Sequence, residues 1–193
     1  MTRRAIWMTR ASILALLPLA ACARTETMAD NGLAKTEAAA QAQMNPTLST
    51  ADTYFIDQAT RSGLATVQSS EMAQKQARRS SVRSLAATMI KDQGWVNDKL
   101  TTLAQAKKLT PPTAPNEVQT QMVSGLISLH GSAFDKAYLN DQAMLHQQAV
   151  TLYRTEAQQG TDPDVKAFAA SVLPRLEQHL SMVEKLGGHA PTS

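Results

Sequence analysis

Two histidines of this 193-residue chain, His146 and His179, fall on the apolar stripes of helical segments rather than at their ends. Neutral amides and a hydroxyl occupy comparable slots elsewhere: Thr66, Gln93 and Gln142. Gln142 and His146 are four residues apart, so a helix stacks them on one face. His179 takes a seven-residue slot between Val172 and Leu186. Two imidazoles projecting inward from facing helices could hold one metal ion between them. A di-iron centre would need about four carboxylates beside two histidines. Glu71, Asp92, Asp141 and Glu177 sit at stripe edges or further round, and Gln and Thr are poor partners for hard iron chemistry. Met89, Met144 and Met182 could join the histidines around a soft ion, although methionine at helical spacing usually fills core. The architectural alternative is a buried hydrogen-bonded layer of Thr66, Gln93, Gln142, His146 and His179. Buried polar groups must be paired, and such a layer fixes bundle register. His130 and His189 lie near helix ends and are expected in solvent.

The elements that must position these residues are helices. From about residue 51 onward the sequence has few β-branched runs and no strand-like alternation. The pattern predicts a first helix from about Asp52 to Ala77 and a second from about Ser81 to Lys108. "TPPTAP" at 110–115 cannot be crossed by a helix. A short helix follows Asn116 and ends near Gly131. Ser132, with Asp135 three residues on, predicts a capping box for a long helix ending at Gly160. Asp162-Pro163-Asp164 opens the last helix with a cap, a proline at N1 and an acid in the first turn. Pro174 is expected to kink that helix, and Gly187-Gly188 to close it. In the second helix Val82, Met89, Val96 and Leu103 recur every seven residues; in the last, Val165, Val172, His179 and Leu186 do so. This is the spacing of shallow-angle bundle packing. The fold class is all-α: a four-helix bundle with one additional short helix, spanning 51–187.

The N-terminus carries an address. Arg3, Arg4 and Arg10 precede the apolar run Ser12–Leu19, too short for a permanent membrane span. Leu19-Ala20-Ala21-Cys22 matches the cleavage site of a bacterial lipoprotein, so residues 1–21 read as signal peptide and Cys22 as the lipidated first residue. Acyl chains there would hold the chain at a membrane without spanning it. Ala23, not an aspartate, follows the cysteine, which favours the outer membrane. Residues 22–50 read as a tether, with helix formers in "TEAAAQAQM", and 188–193 as a tail. Cys22 is the lone cysteine, which excludes intrachain disulfides and a cysteine-rich metal site. The three signal arginines account for the net charge of +3, so the mature chain is formally neutral and has no basic cluster to track a phosphate backbone. Nucleic acid is therefore not an expected partner. No phosphate loop, Gly-x-Ser-x-Gly elbow or His-Glu-x-x-His pair is present.

The stretch "FDKAYLNDQAMLHQQAVTLYRTEAQQGTDPDVKAFAASVLPRLEQHL" (134–180) resembles the C-terminal half of the bacterial family named domain of unknown function 4142. Phe134-Asp135-x-x-Tyr138, His146 and Leu173-Pro174 followed by His179-Leu180 carry the likeness. "YFIDQATRSGLATVQ" and "LAATMIKDQGWVNDKL" match more loosely. The resemblance covers about residues 51 to 186. It implies an exported protein with a ferritin-like helical bundle, often labelled an outer-membrane protein. Two positions depart from the family pattern. Gln93, after Asp92, stands where the family usually has histidine, and Thr66 and Gln68 stand where it often has glutamates. The family's activity is itself unknown.

The expectation is therefore a lipid-anchored bundle on the periplasmic side of the cell envelope. It would be a structural, stress-related or interaction module rather than an enzyme, with Trp95 as a candidate protein contact and no cofactor required. The alternative is a metal-binding or redox bundle that holds one ion at His146 and His179.

Overall fold

The computed structural model describes residues 32–43 and 48–190. Cys22, the segment read as a signal peptide and Pro46 lie outside them. The described residues form six helices: α1 (32–43), α2 (Thr50–Gln76), α3 (Ser80–Ala106), α4 (Glu117–Gly125), α5 (Gly131–Gln159) and α6 (Pro163–Lys185). The four long ones are α2, α3, α5 and α6, as the heptad stripes require. None of the described helices is long and apolar enough to cross a membrane.

The core divides into two apolar clusters along the bundle axis. One holds Phe55 and Ala59 of α2, Val96 and Leu100 of α3, Val150 and Tyr153 of α5, and Val165 and Val172 of α6. The other holds Ala73 of α2, Val82 and Met89 of α3, Phe134 and Tyr138 of α5, and Val183 of α6. The first cluster takes the N-terminal part of α2 and α6 and the C-terminal part of α3 and α5; the second takes the reverse. Helices α2 and α6 therefore run one way, and α3 and α5 the other. The connection at 107–130, which contains α4, must return along the length of the bundle. One long crossover is the ferritin-like arrangement.

Helix ends follow local chemistry. Ser49 caps α2 in a capping box with Asp52, and Asn116 does the same for α4 with Gln119. Asp162 accepts from the N–H groups of Asp164 and Val165 at 3.0 and 3.1 Å, with Pro163 in the first turn. At the far end of α6, Gly187 (φ +96°) lets its own N–H reach Glu184 O and the N–H of Gly188 reach Val183 O. Those two bonds make a Schellman stop that an L-residue would strain. Helix α6 is continuous across Pro174.

Two expectations need correction. Helix α5 starts at Gly131, one residue before Ser132, and His130 caps it without a side-chain bond. Asp135 therefore makes no capping box. Its carboxylate instead accepts the backbone N–H groups of Arg78 and Arg79 at 2.8 and 3.0 Å, where Arg79 begins α3 with no side-chain cap of its own. An acid one turn into one helix thus holds the start of another. Secondly, residues 32–43, assigned to the tether, form α1 with Ala34 and Ala38 buried. Glu37 lies 4.0 Å from Arg61 of α2, a surface pair.

Candidate functional site

The gap between the two apolar clusters is polar on all four long helices. Thr66 and Ser69 of α2, Gln93 of α3, Gln142 and His146 of α5, and His179 of α6 are all buried there. Every member of the layer expected from sequence is thus interior. The side chains differ in what they join. The rings of His146 and His179 meet edge to face, with centroids 5.4 Å apart and planes at 75°. Gln142 Nε2 donates to Ser69 Oγ at 2.9 Å, and Ser69 Oγ in turn donates to the carbonyls of Ala65 and Thr66 at 2.8 and 3.1 Å. Thr66 thus enters the network through its backbone. Gln93 is buried, while the residue of that stretch that reaches a histidine, His179, is its neighbour Asp92.

The hydrogen bonds fix the tautomers. His146 Nδ1 lies 2.9 Å from the backbone carbonyl of Gln142. A carbonyl can only accept, so Nδ1 carries the hydrogen and Nε2 carries a lone pair. His179 Nε2 lies 3.0 Å from Asp92 Oδ2. An ionised carboxylate also accepts only, so His179 presents its lone pair at Nδ1. Both lone-pair nitrogens are buried and have no hydrogen-bond partner, and Gln142 Oε1 shares that state. The layer is short of donors. A buried acceptor left unsatisfied costs about 1–3 kcal/mol, so the site favours a proton, a water or a cation.

Burial sets the charge. Desolvation pushes the His146 imidazolium down to about 4, the neighbouring His179 adds to the effect, and the Gln142 carbonyl opposes it. Burial also lowers His179, against the hydrogen bond and charge of Asp92, while Arg175 lowers it further. Both rings are therefore neutral near pH 7, and their lone pairs are free of competing protons.

The other candidates are elsewhere. Met144 lines a separate groove between α2, α4 and α5, about 670 Å³ in volume. Met89 is core and Met182 packs against the same apolar cluster, so the three methionines do not gather round the histidines. Glu177 pairs on the surface with Arg154 at 2.6 Å. Among the described residues no group of three His, Cys, Asp or Glu side chains converges as a metal site. His130 and His189 are exposed. Sequence reasoning left Asp92 and Ser69 out of the site. The available signal was position: an acid at the edge of the α3 stripe faces the neighbouring helix α6, where His179 sits.

The family described as domain of unknown function (DUF4142) matches residues 35–186. The chain belongs to that family. The match begins inside α1, which supports counting that helix with the domain. No curated protein matches the chain. Solved structures share the fold at low identity. A DUF305 protein of Streptomyces coelicolor, described as secreted, superposes with a TM-score of 0.62 at 15% identity, over 74% of this chain and 96% of its own. A DUF305 fragment from Deinococcus radiodurans gives 0.64 at 16%, over 72% and 97%. CopM, solved in its Cu(II)-bound form, gives 0.60 at 18%, over 69% and 93%.

Proposed function

We propose that this DUF4142 protein is an exported, membrane-tethered bundle that holds one monovalent copper ion between His146 and His179. The observation that carries the reading is the pair of buried, unpartnered, lone-pair nitrogens on adjacent rings. Each opposite nitrogen is anchored to an oxygen acceptor, which is how proteins orient metal-binding imidazoles. With a metal–nitrogen bond of about 2 Å, each ring centroid lies about 3 Å from the ion. A separation of 5.4 Å lies within the span of about 6 Å that two such bonds can bridge.

Charge selects the ion. Two neutral nitrogens and an amide oxygen give a dication no direct anionic ligand, and an uncompensated buried charge is costly. A single positive charge, with Asp92 one hydrogen bond away, is the smaller burden. Imidazole suits copper, whereas hard cations want oxygen anions. The fold shared with CopM is consistent with copper, although at 18% identity it speaks for the fold alone. The lipobox-like Leu19-Ala20-Ala21-Cys22 supports export and anchoring through Cys22, and Ala23 supports the outer membrane.

The test is an anaerobic Cu(I) titration of the chain from Ala23 onward against a competing chelator, beside His146→Ala/His179→Ala. One Cu(I) per chain, lost in the double variant, is expected. A wild-type chain that leaves all Cu(I) on the chelator, with a double variant that only melts lower, would return the layer to architecture. The protein would then be read as a structural or interaction module of the envelope.

A further inference from the structure

His179 is connected to solvent by a short ladder of side chains between α3 and α6. Asp92 Oδ2 accepts from His179 Nε2 at 3.0 Å, and Asp92 Oδ1 lies 3.4 Å from Arg175 Nη1. The Arg175 guanidinium lies over the Trp95 indole at 5.2 Å from its centre, and Lys99 Nζ approaches the same ring at 5.9 Å. Exposure falls inward along the ladder: Trp95 is 46% exposed, the Arg175 side chain 41%, the Asp92 side chain 21% and His179 1%. Helical spacing builds it. Arg175 and His179 are four apart on α6, and Asp92 and Trp95 three apart on α3, so each pair shares one face.

A neutral imidazole carries one hydrogen and can place it on either nitrogen. His179 can offer Nδ1 to an ion only while its hydrogen sits on Nε2. The carboxylate of Asp92 enforces that choice, because it has no hydrogen to give. It also supplies the negative charge nearest a cation held by the pair. Arg175 competes for the same carboxylate from the solvent side.

We infer that Asp92 is the positioning residue of the His146–His179 site, and that Arg175 weakens the site by sharing the Asp92 carboxylate. The inference deepens the copper reading and rests on it for its affinity arm; its tautomer arm stands without any metal. Trp95 is a partner of Arg175 here and the one tryptophan of the chain besides Trp7 in the signal peptide, which makes its fluorescence a clean monitor of the ladder.

The experiment has two readouts on metal-free and Cu(I)-titrated chains from Ala23 onward, comparing wild type, Asp92→Asn and Arg175→Gln. Nitrogen-15 NMR of the histidine rings reads the tautomer. Wild-type His179 is expected with its hydrogen on Nε2. In Asp92→Asn, whose amide can donate as well as accept, the Nδ1-protonated form should appear. Chelator competition reads affinity. Asp92→Asn should weaken Cu(I) binding by about 10- to 100-fold, the usual effect of losing a partner behind a ligand, and Arg175→Gln should strengthen it. An unchanged His179 tautomer in Asp92→Asn overturns the inference even if copper binds. So does a variant that melts lower yet binds Cu(I) as wild type does. Absence of Cu(I) binding in all three chains, with the tautomer switched in Asp92→Asn, would sink the copper reading and leave Asp92 in its positioning role.

Discussion

His146 makes the bundle sensitive to acid in a way that can be calculated and then removed by one substitution. In the unfolded chain its imidazole takes up a proton around 6.5; in the folded chain burial delays that to about 4. Between those values the unfolded state binds a proton that the folded state refuses, so stability falls as pH falls. The contribution is fully present above 6.5 and lost progressively toward 4. At 1.36 kcal/mol for each tenfold change in acidity, the metal-free protein should lose about 2–3 kcal/mol between pH 8 and pH 4.5 from this residue. His146→Leu removes the titration, deletes an orphaned acceptor and fills similar volume. It gives up the bond to the Gln142 carbonyl at 2.9 Å, which leaves the two changes close to balance at pH 8. Urea unfolding of both chains at pH 8 and 4.5, without metal, is the assay. The variant should match wild type within about 1 kcal/mol at pH 8 and exceed it by about 2 kcal/mol at pH 4.5. Equal losses in both proteins would refute the reasoning, because His146 would then titrate in the folded state as it does in water.

Three further outcomes follow from separate parts of the fold. Burial, the hydrogen bond to Asp52 and the charges of Asp52 and Asp162 push the Glu156 carboxyl from 4.5 up to about 8. The folded state thus holds a proton that the unfolded state has lost, so the contribution of Glu156 falls as pH rises from 4.5 through 8, against the opposite trend from His146; thermal melts of Glu156→Gln should rise relative to those of the wild type over that range. Asp135→Ala strips the acceptor from the backbone N–H groups of Arg78 and Arg79. It should cost about 2–4 kcal/mol in urea unfolding, against a fraction of that for an ordinary exposed acid. A Cβ on Gly63 would clash with the side-chain amide oxygen of Asn97. Gly63→Ala should therefore cost about 1–3 kcal/mol alone and much less on an Asn97→Ala background, a coupling that a double-mutant cycle measures.

The helices were legible because their apolar residues repeat every seven positions over several turns, and because Asp162-Pro163 and Gly187-Gly188 punctuate them with strong local chemistry. The interior placement of His146, His179, Gln142, Gln93 and Thr66 followed from the same stripes. What stayed hidden was set by contacts between helices. Asp135 reads locally as a cap for its own helix, yet its carboxylate is turned to the α2–α3 junction, which no sequence spacing reveals. Asp92 sits one residue from the buried Gln93, and only the α3–α6 packing shows that the acid, not the amide, meets His179. Helix α1 was assigned to the tether because two small alanines, Ala34 and Ala38, carry its packing and leave almost no apolar signal. The pairing of two lone-pair nitrogens likewise needs the hydrogen bonds on the far side of each ring, which are tertiary facts.

The most direct measurement is the stoichiometry and affinity of Cu(I) for the metal-free chain from Ala23 onward, titrated anaerobically beside the His146→Ala/His179→Ala chain. The account predicts one ion per chain in competition with the chelator, and none in the double variant. Failure of the wild-type chain to take copper, or equal binding by both chains, would contradict it.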